Sequence, residues 1–133
     1  MQFSGWWLNT KQHQNMVFDR ITYHEMKQLI DKMPANTTII DVREHQEVRQ
    51  TGVIGSSVNI PLSELKNALK KMNDKAFHKK YGVEKPAVTD HIIFYCLKED
   101  RAERGADIVQ SFGYKNIKIF EGGFELWEEN EKN

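Results

Sequence analysis

With 133 residues, 39% of them hydrophobic, and only 8 glycines and 3 prolines, the chain suits one domain with its own core, which excludes disordered, collagen-like and mucin-like organisations. Nineteen basic side chains balance nineteen acidic ones, so no global field draws the protein to nucleic acid or to an anionic membrane, and neither is expected as a partner. The single cysteine, Cys96, rules out a disulfide-stapled scaffold, and apolar runs such as 92–96 fall far short of the roughly 18 residues a membrane span needs.

Residues 1–16 read as an N-terminal extension and 17–133 as the domain. The first 18 residues carry one lysine, no arginine and no acid, and they lack an apolar signal core. A cytoplasmic location is expected, with the mitochondrion as the alternative. Trp6 and Trp7 in this stretch suit an apolar patch of the domain equally well.

Thr22 followed by Glu25 is a capping-box signal, and Met26, Leu29, Ile30 and Met33 then recur at helical spacing until Pro34. Residues 37–42 form a buried strand, 44–49 a short helix or turn, and 58–60 a short strand stopped by Pro61. A helix is predicted from Ser63 to about Met72, and another turn or two over 74–81 before Gly82. Residues 91–95 are apolar after His91, the pattern of a central strand covered on both faces. Ala102, Gly105, Ala106, Val109 and Phe112 mark the next helix, Gly113 its left-handed cap, 117–120 a strand, Gly122-Gly123 a turn, and 124–131 a terminal helix. Strands alternate with helices, so the fold class is α/β: a mostly parallel sheet of about five strands with helices on both faces.

Ligands of such sheets bind beyond the carboxyl ends of the strands, which directs attention to Cys96 and the loop behind the most buried strand. Cys96 falls where that strand ends and Arg101 where the next helix begins. Backbone N–H groups of the loop and the helix N-terminus are therefore expected to converge on the sulfur, lower its pKa and make it a nucleophile. Arg101 would clamp an anion, Lys98 would add a mobile positive charge, and Leu97, Glu99, Asp100 and Ala102 complete the expected substrate-binding loop.

At these residues the chain resembles the rhodanese (sulfurtransferase) family over about residues 17–130. The matching segments are Ile40-Asp41-Val42-Arg43-Glu44, Glu47, Gly52 through Pro61-Leu62, Ile93-Phe94-Tyr95-Cys96 with Arg101-Ala102, Gly113-Tyr114 with Asn116-Ile117, and Gly122-Gly123 with Trp127. The resemblance implies that Cys96 accepts a sulfane sulfur from a small anionic donor, thiosulfate or a persulfide, and passes it as a persulfide to a thiol or cyanide. With no second cysteine in the chain the acceptor is external, glutathione or a thioredoxin-like protein, and no dissociable cofactor is needed. The related Cdc25-type phosphatases place arginine six residues after the cysteine; here the spacing is five, which favours sulfur transfer over phosphatase or arsenate reductase chemistry.

Glu99 stands where family loops commonly carry glycine, so a strained left-handed backbone is expected there, with Glu99 and Asp100 both opposing a thiolate. On that ground a catalytically weak binding or regulatory module is the alternative reading. Asp41, Arg43 and Glu47 are assigned to holding neighbouring loops together, and Gly122, Gly123 and Trp127 to the turn and the core. Lys66, Lys70, Lys71, Lys75, Lys79 and Lys80 read as a solvated basic face. His24-Glu25 lacks a second histidine four residues on, so no metal site is predicted.

Overall fold

The computed structural model describes residues 18–132. The extension assigned to residues 1–16, with Trp6 and Trp7, lies outside the described residues.

Thr22 starts the first helix, α1 (Tyr23–Lys32), as its spacing to Glu25 requires. Its hydroxyl accepts the Glu25 N–H at 3.2 Å while the Glu25 carboxylate accepts the Thr22 N–H at 2.8 Å. The apolar runs supply the strands β2 (Thr37–Asp41), β4 (His91–Tyr95) and β5 (Asn116–Phe120), joined by the two-residue β3 (Val58–Asn59). An edge strand, β1 (Asp19–Ile21), completes the sheet. Its register sets Asp19 opposite Lys118, and the pairing with β5 is what makes so short a segment a strand. All pairings are parallel and the order is β1-β5-β4-β2-β3, with β4 central.

Period-two alternation along β4 splits the core between the two faces of the sheet. Ile92 and Phe94 pack with Ile40, Ile117 and Ile119 under α4 (Asp100–Gln110), which contributes Ala102, Ala106 and Val109. Ile93 and Tyr95 pack with Ile39 and Phe120 against Met26 of α1 and Phe124 of α5 (Gly123–Glu131). Between β2 and β3 lies α2 (His45–Thr51), and α3 (Asp74–Tyr81) precedes the loop into β4.

The helix expected over 63–72 is present and unbroken over 62–71, with its turn widening along its length. Leu62–Glu64 is a single 3₁₀ turn, and Asn67–Lys71 is a π-helical turn whose closing bond runs from the Met72 N–H to the Asn67 carbonyl at 2.9 Å. Leu65, Ala68 and Leu69, at the i, i+3, i+4 spacing of one helical face, are all buried. The six lysines of residues 66–80 are exposed, as a solvated face requires.

Candidate active site

From neighbouring central strands the chain departs in opposite directions, β4 toward β5 and β2 toward β3, and Cys96 leaves β4 at the carboxyl edge of that divide. Cys96 is fully buried. The backbone N–H groups of Ala102, Arg101 and Lys98 act on its sulfur, each favouring the charged form. The N-terminal turn of α4, beginning at Asp100, supplies two of these donors and the positive end of its dipole.

A loop turns its N–H groups inward only if its carbonyls find partners elsewhere. Here the start of α5 supplies them. The Phe124 N–H donates to the Cys96 carbonyl at 2.8 Å and the Glu125 N–H to the Leu97 carbonyl at 3.1 Å. Gly123 stands among these oxygens: a Cβ there would lie 2.5 Å from the carbonyls of Cys96, Leu97 and Lys98, and its φ of +62° is itself unfavourable for any other residue. Gly123 thus belongs to the sulfur cradle as well as to the turn. Its sequence signal was the double glycine, but its contact with residues 96–98 is long-range.

Burial pushes the Cys96 thiol up from its ordinary value, and the N–H groups of Ala102, Arg101 and Lys98, with the Arg101 charge, offset this only in part. The lowered thiol expected from the sequence is corrected accordingly. Donors and cations can be counted along a chain, whereas the loss of water around a fully buried sulfur cannot.

Arg101 is half-buried and forks onto Glu47, with Nη1 2.6 Å from Oε1 and Nη2 3.1 Å from Oε2. Glu47 also accepts the Glu44 N–H at 2.9 Å, closing the start of α2, and Arg101 foremost holds its carboxyl below the usual range. Glu47 therefore orients Arg101, a role its assignment to loop structure missed. The Lys98 backbone N–H favours charge on the sulfur, while its ammonium is 72% exposed and 3.9 Å from Glu125. Leu97 and Asp100 are exposed on the rim, and Ala102 is buried beneath it.

Glu99 departs from expectation twice. Its φ is −140°, so no left-handed backbone is needed; the positive φ angles of this neighbourhood fall at Gly122 and Gly123 instead. Its carboxylate is engaged, 3.3 Å from Nε of Arg20 and accepting the Gly122 N–H at 3.3 Å.

Behind the loop, Asp41 and Arg43 form a fully buried ion pair with the guanidinium Nε 3.1 Å from both carboxylate oxygens and Nη2 2.7 Å from Oδ2. Arg43 also donates to Thr51 and to the Gly52 carbonyl, and its guanidinium lies 4.2 Å from the centre of the Phe124 ring. The pair ties β2, the end of α2 and the start of α5 together, the structural role read from the sequence.

The rhodanese-like domain profile matches residues 22–130, and the chain belongs to that family. It is 38% identical over 110 residues to a rhodanese domain-containing protein of Drosophila melanogaster, covering 83% of this chain and 96% of the relative. Human thiosulfate:glutathione sulfurtransferase is 35% identical over 94 residues, 70% of this chain and 80% of that protein. Among solved structures, a human single-domain sulfurtransferase superposes with a TM-score of 0.75 at 30% identity over 83% of this chain and 95% of that one. A Saccharomyces cerevisiae single-domain sulfurtransferase does so with a TM-score of 0.75 at 28% identity, covering 86% and 91%.

Proposed function

We propose that the protein is a sulfurtransferase in which Cys96 carries sulfur from an anionic donor, thiosulfate or a persulfide, to a thiol such as glutathione. The observation that carries this reading is the position of Cys96, buried at the carboxyl end of the central strand beside the N-terminal turn of α4, where the Lys98, Arg101 and Ala102 N–H groups favour charge on its sulfur. Such a cradle favours negative charge on Cys96 and on a second sulfur bonded to it. With thiosulfate, the Cys96 thiolate attacks the outer sulfur; a sulfur–sulfur bond to Cys96 forms, the bond to the sulfonate sulfur breaks, and sulfite leaves with the electron pair. The thiol proton goes to solvent. An acceptor thiolate then attacks the outer sulfur of the persulfide, becoming a persulfide itself and returning Cys96 as thiolate. The two displacements predict ping-pong kinetics.

Glu47 keeps Arg101 beside the sulfur, and Leu97 and Lys98 border the path of donor and acceptor. Intact mass after incubation with thiosulfate tests the reading: gain of one sulfur by the wild type and none by Cys96→Ser is expected. A folded wild-type protein left unloaded by thiosulfate, mercaptopyruvate and glutathione persulfide would reject it.

The second reading, a binding module with slow turnover, is favoured by the upward push of burial on the Cys96 thiol. Loading without catalytic turnover to glutathione or to a thioredoxin-like protein distinguishes it. A lone thiol is kept free most readily in a reducing compartment, and we propose the cytoplasm. The mitochondrion is the alternative, since a Saccharomyces cerevisiae relative, 30% identical over 106 residues, is named as mitochondrial. Among the described residues no helix is long and apolar enough to cross a membrane. Fractionation of cells expressing the full chain separates the two locations.

A further inference from the structure

Two carboxylates stand in or beside the cysteine loop, Glu99 and Asp100, where a donor anion would have to approach. Asp100 is exposed, but Glu99 is only partly exposed and folded back onto the protein. What holds it is Arg20, a residue of the edge strand β1 that lies 79 positions away in sequence from Glu99. Arg20 Nε is 3.3 Å from Glu99, its Nη2 pairs with Glu103 one turn into α4, and its Nη1 donates to the Phe18 carbonyl at 3.3 Å. The Arg20 side chain is 25% exposed, so these contacts are partly shielded from water. Glu99 also accepts the Gly122 N–H, next to the Gly123 contact that shapes the cradle.

We infer that Arg20 is a positioning residue for the sulfur site: it neutralises Glu99 and draws that carboxylate toward β1 and Gly122, keeping the mouth above Cys96 open to anions. The inference deepens the sulfur-transfer reading by assigning a determinant of preference for charged donors. It also accounts for a carboxylate inside a loop that binds anions. Without Arg20, Glu99 loses its cation and is free to turn toward the mouth, where like charge repels the donor.

The test uses a pair of reagents nearly equal in size and different in charge. Cys96 is the only cysteine, so its alkylation by iodoacetate relative to iodoacetamide reports the potential at the sulfur, and the ratio cancels the thiolate fraction. In Arg20→Gln this ratio is expected to fall about threefold, the scale of one charge acting through a largely aqueous mouth. Arg20→Gln with Glu99→Gln is expected to restore it, whereas Arg20→Gln with Glu103→Gln is not. The KM for thiosulfate should move inversely in the same variants. An unchanged ratio in Arg20→Gln, or equal rescue by Glu99→Gln and Glu103→Gln, would overturn the inference. Because alkylation needs no turnover, this result stands apart from whether the wild type transfers sulfur.

Discussion

Gly123 carries two constraints at one Cα. Its φ of +62° disfavours a side chain, and a methyl group would meet three carbonyl oxygens at 2.5 Å. Two of those oxygens are fixed by bonds from Phe124 and Glu125, so relief requires moving the loop that aims its N–H groups at Cys96. Gly123→Ala is expected to cost about 3 kcal/mol or more in stability, among the large effects of single substitutions. Urea denaturation measures the cost, and an intact cradle with a loss below about 1 kcal/mol would contradict it. At the sulfur itself, burial outweighs three backbone donors, which leaves less thiolate at neutral pH than an ordinary cysteine has. The rate of iodoacetamide alkylation at Cys96 should keep rising with pH beyond about 8.5, where a free thiol begins to level off. A rate already flat at pH 8 would show the donors to be dominant.

The elements that position these residues were legible to different degrees. α1 was readable because Thr22 and Glu25 cap each other locally, and β4 because a continuous apolar run cannot leave the core. β1 was not, since three residues acquire strand character only from pairing with β5. Residues 62–71 form one helical segment, as their spacing indicates, but its 3₁₀ start and π end are not legible because spacing shows which residues are buried and not how the backbone bends to bury them. Of the site, Cys96 and its loop were visible in the sequence, whereas the Arg101–Glu47 and Arg20–Glu99 pairs join residues remote along the chain. The Asp41–Arg43 pair shows what such ties contribute to an element. Replacing Arg43 by Met would leave the buried Asp41 carboxyl without its cation and facing an apolar chain. A loss of about 3 to 5 kcal/mol is expected, the scale for breaking a buried ion pair, and the double change Asp41→Leu/Arg43→Met should recover part of it. Chemical denaturation of the single and double variants measures both.

At the scale of the whole molecule, the same ionisable groups set the pH range over which the fold and the site persist together. Glu47 is held below the usual carboxylate range, chiefly by Arg101; for Glu64, bonds from Tyr81 and His45 outweigh the opposing effect of burial. A lowered carboxyl stabilises the fold above its unfolded pKa of about 4.3, and that stability is lost as pH falls through the folded value. Cys96, Tyr81 and Tyr95 are displaced upward, foremost by burial. Their neutral forms are favoured in the folded state, so their contribution is complete below the unfolded values of about 8.5 for cysteine and about 10 for tyrosine, and it declines as pH rises. The melting temperature is therefore expected to be highest between about pH 5 and pH 8 and to fall on both sides. Each limb has its own variant: Glu64→Gln should flatten the acid side, and Cys96→Ser the first part of the alkaline side. Because Glu47 and Glu64 are partly exposed, screening by salt should shrink the acid effect, while the buried sulfur should keep most of its alkaline effect in high salt. Melting curves of wild type and Cys96→Ser that superimpose from pH 8 to 10 would show that the sulfur titrates no differently in the folded and unfolded chains.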